Sequence, residues 1–361
     1  MHSRRRAAGR RGRPGRARWT SRARAGSQRR ASGSTPPERC VIAPPAPDRR
    51  PFRCPVSRGR GLAHPLHSPA ARRSQDTVRA YVDLTKPRLL PLVLFTGIPV
   101  FGMAAHGAPS PAFAALVLLG IMFAAASANT LNAYIERDKD ALMERTKERP
   151  LPAGRIAPRA ALVFGLALAA ASTALLASVG GAAAASVGVA SILFYVFVYT
   201  IWLKPRSAWN VVIGGAAGAA APLMADAAVN GTITAAGLTL FAIVFFWQPP
   251  HVWAIALYRK ADYEAAGIPM LPSVIGDQPT RRRMLAYTIG LVPVTLAPVA
   301  LGLLGAVYGA VALGVNAWFV ASAVRLLRER DADAARRVFR VSLGYLFALF
   351  VAMNLDLLTR L

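Results

Sequence analysis

Cysteine is almost absent from this 361-residue chain. Its two cysteines, Cys40 and Cys54, both lie in the first 75 residues, and residues 55–361 have none. The main part of the chain therefore has no thiolate nucleophile, no structural disulfide and no Cys-ligated metal. The chain also lacks the phosphate loop GxxxxGK[ST], the metalloprotease motif HExxH, the hydrolase motif GxSxG and a dinucleotide fingerprint. The common chemistries of soluble enzymes are therefore not indicated.

Acidic residues are scarce in residues 1–75, which contain 20 Arg, no Lys and only Glu38 and Asp48 as acids. This segment carries most of the net charge of +27, and it has almost no apolar periodicity. Because it cannot bury enough surface to offset its chain entropy, we predict a disordered tail. Three interpretations stay open: a transit peptide, a basic arm for nucleic acid or anionic lipid, and an over-extended start site without function. No nucleic-acid-binding motif accompanies the charge, so we predict no nucleic-acid partner.

Apolar residues make up 54% of the chain, and beyond the tail they form runs close to the roughly 20 residues that cross a bilayer as a helix. We predict an all-α membrane domain over residues 76–361 with nine transmembrane helices. A short turn at Gly180-Gly181 divides the third span from the fourth. The predicted spans cover about residues 89–105, 112–133, 160–180, 182–203, 211–229, 233–256, 285–304, 307–326 and 340–358.

Lys and Arg alternate between the segments that connect these spans. They occur before the first span and after the second, fourth, sixth and eighth, whereas the other four connections carry none. Basic connections are retained on the cytoplasmic side, so we predict a cytoplasmic N-terminus and a C-terminus outside. The predicted location is the bacterial inner membrane, or the mitochondrial inner membrane if the tail is a transit peptide.

The connection after the second span begins with Asn132, Glu136 and Asp140 at four-residue spacing. If the span continues as a helix, these three side chains share one face, while Asp138 projects elsewhere. Two carboxylates and an amide oxygen suit Mg²⁺, which binds a few carboxylates together with substrate phosphates. The alternative is a helix end whose surface acids pair with Arg.

Basic residues follow these acids, and we predict that Pro150 and Pro152 close the helix behind them. Guanidinium groups beside a metal–carboxylate site suit a diphosphate, which needs several charges neutralised as it leaves. The positive-inside bias alone is the competing explanation. The basic residues of this connection are Arg145, Lys147, Arg149 and Arg155.

Polar residues also interrupt the sixth span, where Gln248, Pro249-Pro250 and His251 lie in an apolar run. Two consecutive prolines predict a helix broken at membrane depth, and polar side chains inside a span are candidates for function. A structural histidine is the alternative for His251. Asp262 and Glu264 follow this span. A third cytoplasmic group ends the fourth span and consists of Lys204, Arg206, Trp209 and Asn210.

Three strings resemble the UbiA superfamily of intramembrane prenyltransferases over about residues 77–361, excluding the tail. The strings are SANTLNAYIERDKDALMERTKERPLPAGRI, LKPRSAWNVVIGGAAGAAAPL and WQPPHVWAIALYRKADYEAAGIPMLP. Within the superfamily they are most similar to the branch that farnesylates haem b. The resemblance implies a helical bundle with a cytoplasm-facing active-site cavity.

The reaction that the resemblance implies is transfer of the farnesyl group of farnesyl diphosphate to the 2-vinyl group of haem b. Water then captures the resulting cation, which gives haem o with its hydroxyethylfarnesyl chain. Mg²⁺ or Mn²⁺ is the implied cofactor, haem b is a substrate, and haem a synthase or a terminal oxidase assembly is the implied downstream partner. A relative using another aromatic acceptor is one alternative. A transporter is another, but it gives no reason for two acidic motifs on one side of the membrane.

Residue by residue, the resemblance assigns catalytic, metal–diphosphate roles to Asn132, Glu136, Asp140 and Asp262. His251 becomes a candidate haem contact. The chain departs from the family pattern at two positions, since Glu136 stands where Asp is common and Ala261 where an acid is common. The implied diphosphate-binding residues are Arg145, Arg149, Lys204, Arg206 and Lys260.

Overall fold

The computed structural model describes residues 69–104, 107 and 109–359, with side chains from residue 76 onward. The described part contains helices and no strand. Most of the predicted tail, with Cys40 and Cys54, lies outside it, although the first helix begins at Pro69. The α-helices are α1 (Pro69–Leu84), α2 (Leu90–Gly102), α3 (Pro111–Asp140), α4 (Pro158–Leu193), α5 (Asn210–Gly218), α6 (Ala221–Asn230), α7 (Ala235–Tyr258), α8 (Lys260–Ala265), α9 (Leu271–Ile275), α10 (Asp277–Ala300), α11 (Ala306–Glu329) and α12 (Ala332–Leu358).

Each predicted span coincides with a helical stretch. In the described part, seven stretches are long and apolar enough to cross a membrane, and α2 is a shorter apolar helix. One of the seven, Pro158–Leu203, is 46 residues long and joins α4 to a π-helical segment, Phe194–Leu203. Another, Asn210–Asn230, contains both α5 and α6. The prediction of an all-α membrane protein is confirmed. A count of nine requires dividing the 46-residue stretch into two spans and also counting the short helix α2.

The 46-residue stretch turns back on itself at Gly181. This residue has φ 79° and ψ 177°, a conformation that side chains disfavour and glycine adopts. A Cβ added at Gly188 would lie 2.9 Å from Leu176 Cδ1. In a straight helix these two residues would be about 18 Å apart along the axis. The chain therefore reverses here, which confirms the predicted turn between the third and fourth spans.

The helix α3 carries the first acidic motif well beyond its apolar part. Its start is fixed by Ser110, whose hydroxyl accepts a hydrogen bond from Phe113 N at 3.3 Å, and by a proline at the first position. It ends at Asp140, so the prediction that Pro150 and Pro152 close this helix is wrong. Thr146 Oγ1 donates to the Asp140 carbonyl oxygen at 2.8 Å, and this bond folds the following segment back over the helix end before the prolines are reached.

The prolines of the sixth predicted span do not break their helix, which corrects a second prediction. The helix α7 runs without interruption from Ala235 to Tyr258 and contains Pro249 and Pro250 in its interior. The proline ring fixes φ near the helical value, and prolines are tolerated inside membrane helices where neighbouring groups satisfy the carbonyls left without a donor. The segment that bears Gln248 and His251 is therefore a continuous helix.

Two other buried acids close loops between helices. Asp226 Oδ1 accepts from the Thr234 hydroxyl at 2.9 Å, at the start of α7. Asp356 Oδ2 accepts from Gly305 N at 2.7 Å, at the start of α11. Both carboxylates satisfy donors at helix N-termini, where a negative charge is favourable. Their structural roles distinguish them from the acids of the two motifs.

Candidate active site

The polar residues of the first motif lie on one buried face of α3. Asn132, Glu136 and Asp140 are between 3% and 7% exposed. By contrast, the side chain of Asp138 is 84% exposed. The shared face predicted from the four-residue spacing is therefore present, and Asp138 is excluded from it.

Each carboxylate on this face has a cationic partner. Lys204 Nζ lies 2.6 Å from Glu136 Oε2, and both side chains are largely buried. Arg149 Nη1 lies 2.8 Å from Asp140 Oδ2. Charge-assisted hydrogen bonds in such partly desolvated surroundings are stronger than those in water. The segments that follow α3 and the π-helix are thereby held against the end of α3, and the site contains both signs of charge.

Lys86 completes this set of charged residues, although no sequence pattern marked it as a site residue. It lies between α1 and α2, and its Nζ donates to Asn132 Oδ1 at 2.9 Å. Asn129 Nδ2 donates to Thr85 O at 3.1 Å, which fixes the backbone before it. Burial, together with the nearby charges of Arg149 and Lys204, lowers the pKa of Lys86 to about 7. The basic residues before the first span had been interpreted only through the positive-inside rule, which gives them no further role.

An apolar cavity of about 350 Å³ lies next to these charged groups. Helices α2, α3, α5 and α7 and the π-helical segment contribute to its wall, which includes Tyr195 and Tyr199. Lys204 Nζ lies 5.7 Å from the centre of the Tyr199 ring, so this ring borders both the cavity and the charged groups. We call these charged groups the charged mouth: Lys86, Glu136, Asp140, Arg149 and Lys204. The size is at the lower end of the range for small-molecule sites. The arrangement suits a ligand with a charged head and an apolar tail.

The second motif lies on the short helix α8. Asp262 Oδ2 is 3.3 Å from Arg259 Nη1, and Lys260 Nζ is 3.1 Å from Asp277 Oδ1. Glu264 is exposed. These pairs are partly exposed and contribute little to stability, which leaves the side chains free to rearrange around a ligand.

Side chains near the two motifs approach a common region. Glu136 of the first motif and Tyr263, next to Asp262, both lie within electrostatic range of Tyr199. Arg145 lies within the same range of Tyr258, at the end of α7. Both motifs therefore border the same end of the bundle.

The remaining predicted contacts of this region have different positions. Arg206 is exposed, and its Nη1 donates to the carbonyl oxygens of Ile201 and Trp202, both at 2.9 Å. Its guanidinium thus caps the end of the π-helical segment. Asn210 Nδ2 donates to Pro269 O at 3.3 Å, which ties the start of α5 to the loop after α8. Trp209 stacks beneath a basic side chain of α10, Arg283, at 5.1 Å.

In the described residues, no group of three His, Cys, Asp or Glu side chains is placed to hold a metal by itself. The oxygen donors of the first motif, two carboxylates and one amide, are nevertheless the ligand types that Mg²⁺ prefers. The donor set fits a hard cation that completes its coordination with water and with oxygens of a bound phosphate. It does not form an all-protein metal cage.

His251 lies in the cavity wall on α7. Its ring is stacked on Trp247, with ring centres 4.4 Å apart, and it faces Phe339 at 4.8 Å. Gln248, one turn earlier, lines the same cavity. The structure places both polar residues in the wall of the apolar cavity.

Residues 93–351 match the UbiA prenyltransferase family. The chain is 46% identical over 285 residues to protoheme IX farnesyltransferase of Gloeobacter violaceus, covering 79% of this chain and 93% of that protein. It is 44% identical over 295 residues to protoheme IX farnesyltransferase of Rhodopseudomonas palustris strain BisB5, covering 81% and 94%.

Solved structures show the same fold at low sequence identity. A digeranylgeranylglyceryl phosphate synthase matches with a TM-score of 0.67 and 18% identity, covering 78% of this chain and 99% of that one. A UbiA homologue from Archaeoglobus fulgidus bound to GPP and Mg²⁺ matches with a TM-score of 0.55 and 17% identity, covering 76% and 99%. This chain therefore belongs to the UbiA prenyltransferase family and is an integral membrane protein.

Proposed function

We propose that this protein transfers the farnesyl group of farnesyl diphosphate to haem b and releases haem o. The observation that carries this function is the position of a buried set of acids and cations directly beside an apolar cavity. The diphosphate binds in the charged mouth and the prenyl chain lies in the cavity. The relatives that are 43–46% identical over most of the chain bear the name of this activity, which favours haem b over other acceptors.

The oxygen donors of the first motif, Asn132, Glu136 and Asp140, would hold Mg²⁺ together with diphosphate oxygens, and Asp262 would contribute from the second motif. When bound, Mg²⁺ neutralises charge that develops on the leaving diphosphate. The structure of a UbiA homologue from Archaeoglobus fulgidus bound to GPP and Mg²⁺ supports this choice of metal.

The cations of the mouth act on the diphosphate. Lys204 and Arg149 now pair with Glu136 and Asp140, and Lys86 with Asn132. As a diphosphate arrives, these side chains shift their hydrogen bonds to its oxygens, so the departing charge meets preorganised donors. Arg145 and Lys260 would provide further positive charge for the diphosphate. The helices around the cavity exclude bulk water from the allylic carbon as the diphosphate leaves.

The activity is tested with purified protein in detergent or vesicles, supplied with haem b, farnesyl diphosphate and Mg²⁺. Haem o, detected by mass, is the expected product, and chelation of the metal should abolish it. Parallel reactions with a hydroxybenzoate acceptor test the alternative aromatic substrate. Prenylation of that acceptor in place of haem b, or absence of any prenylated product, would contradict the proposed function.

Lys86 is expected to bind the diphosphate, because its amine is half-buried next to Asn132 and close to Arg149 and Lys204. Lys86→Met should raise the KM for farnesyl diphosphate by about tenfold, the equivalent of one charge-assisted hydrogen bond. Lys147→Met is the matched control, since that amine pairs with Glu144 and is 45% exposed. Steady-state kinetics on the two variants measure the difference, and equal KM values would remove Lys86 from the site.

We infer from the Lys/Arg alternation that the mouth faces the cytoplasm, with the N-terminus inside and the C-terminus outside. Residues 55–361 contain no cysteine, so single cysteines can be introduced there and labelled once Cys40 and Cys54 are replaced by Ser. A cysteine at Ala141, directly after α3, should react only with reagent that reaches the cytoplasmic side. One at Ser110, before α3, should react from outside. The reverse pattern would invert the proposed orientation.

A further inference from the structure

Gln248 and His251 lie on α7 in the cavity wall, and each has a hydrogen-bond acceptor that no donor of the described residues reaches. We propose that Gln248 and His251 together bind the water molecule that adds to the haem side chain after farnesyl transfer, and that His251 takes up its proton. This inference rests on the proposed function and assigns residues to its final step. It concerns the cavity wall and not the charged mouth.

The orientation of the Gln248 amide is fixed by α5. Its Nε2 donates to Gly215 O at 2.9 Å, and since a carbonyl can only accept, the nitrogen must be on that side. The Oε1 atom lies against Gly218, where an added Cβ would be only 2.9 Å away. Among the described residues no donor reaches this oxygen, although the residue lines the cavity. Gln248 therefore presents an oriented, unused acceptor.

The protonation pattern of the His251 ring follows from Ser342. Ser342 Oγ lies 2.7 Å from His251 Nδ1 and also 2.7 Å from Phe339 O. The hydroxyl has one proton, and only donation to the carbonyl lets both contacts be hydrogen bonds. Nδ1 therefore carries a proton and donates to Ser342 Oγ, and Nε2 of the neutral ring has a free lone pair. Stacking between Trp247 and Phe339 restrains the ring.

Gln248 and His251 are three residues apart on α7, so they are neighbours on one face of the helix. The structure places both of them in the wall of one cavity. Two hydroxyl groups of this wall already bond to backbone. Thr96 Oγ1 donates to Val93 O, and Ser191 Oγ donates to Ala217 O. Two neighbouring acceptors require a ligand with two donors, and water is the smallest such molecule. With both its protons engaged, the lone pairs of its oxygen are free to attack a carbon in the cavity.

The step balances in atoms and charge. The new bond between the farnesyl carbon and the terminal vinyl carbon leaves a positive charge on the vinyl carbon next to the porphyrin. The water oxygen bonds to that carbon, and one water proton passes to His251 Nε2, which leaves a neutral hydroxyl group. No oxidant or reductant is needed. If no water is in place, the same cation loses a proton from the adjacent CH₂ and forms an alkene that is one water molecule lighter than haem o.

The ratio of these two products is the test, because a merely structural defect lowers both together. Gln248→Leu keeps the approximate size of the side chain, and His251→Phe keeps both its size and its ring stacking. Each substitution removes one hydrogen-bond acceptor from the cavity wall. In each variant the ratio of the alkene product to haem o should rise by at least about tenfold. This is a conservative value, because a general base typically contributes about 100- to 10,000-fold to a rate. Mass spectrometry of products from single turnovers provides the ratio.

Two glycines of α5 offer a matched pair. Gly218→Ala would force the Gln248 amide away, whereas a Cβ at Gly215 would meet its nearest neighbour, Gln248 Oε1, at an ordinary 3.5 Å. Gly218→Ala should therefore raise the ratio and Gly215→Ala should leave it unchanged.

An unchanged ratio in both Gln248→Leu and His251→Phe would overturn the inference while haem o production still upheld the proposed function. Loss of haem binding in His251→Phe with an unchanged ratio would also overturn it and would identify His251 as an iron ligand. If the unmodified protein makes neither product, the proposed function itself fails.

Discussion

Glu136→Gln is expected to lower kcat by about 100- to 1000-fold, the range for loss of one preorganised electrostatic contact to a charged transition state. The substitution keeps size and removes the charge that would bind the metal with the diphosphate. It also leaves Lys204, 2.6 Å away, without its carboxylate partner. Turnover with saturating farnesyl diphosphate and haem b measures the effect.

Neighbouring variants separate this effect from a general disturbance of the helix end. Asp140→Asn should be similarly damaging, because it lies on the same buried face. Glu136→Asp should keep much of the activity, since the carboxylate is retained. Asp138→Asn should be nearly silent, because that side chain is 84% exposed. Higher Mg²⁺ should partly rescue the variants that weaken metal binding. Equal losses in Asp138→Asn and Asp140→Asn would refute a role for the shared face.

Lys204→Met is expected to have the second largest effect, through both binding and turnover. It removes a donor from the diphosphate and leaves Glu136 buried without a counter-ion. Breaking such a pair from one side typically costs about 3–5 kcal/mol in stability. We therefore expect a lower melting temperature together with a higher KM and a lower kcat.

The double variant Glu136→Gln with Lys204→Gln separates the loss of stability from the loss of a group that binds the diphosphate. It removes both charges, so most of the stability should return, but the activity should not. Arg206→Met is the matched comparison two residues along the chain. That guanidinium caps the π-helical segment from an exposed position, so its loss should change KM less than the loss of Lys204. Full activity of the stable double variant would show that neither charge serves the reaction.

Patterns local in sequence predicted much of this fold. Apolar runs located the membrane helices, and the glycine pair located the reversal at Gly181. The four-residue spacing placed Asn132, Glu136 and Asp140 on one face because helical periodicity alone determines that relation. Membrane helices are well suited to such prediction, since a long apolar run in lipid must satisfy its own backbone hydrogen bonds.

Contacts between distant segments could not be predicted in the same way. Lys204 and Glu136 are 68 residues apart, and Lys86 and Asn132 are 46 apart. Packing of the whole bundle decides those pairs, and the positive-inside rule gives every cytoplasmic Lys the same explanation. The continuity of α7 through Pro249 and Pro250 was missed for a related reason. Whether a missing donor breaks a helix depends on the surrounding protein as well as on the proline.

The pairing of each carboxylate with its own cation has a thermodynamic consequence for the order of ligand binding. A divalent ion entering alone must displace Lys204 from Glu136 and Arg149 from Asp140, and it adds charge to a mouth already rich in cations. A diphosphate gives those cations a new partner and so makes the carboxylates available. Metal and diphosphate are therefore positively coupled, and by reciprocity each raises the affinity of the other by the same factor. Titrating either ligand alone would underestimate how tightly the pair is held.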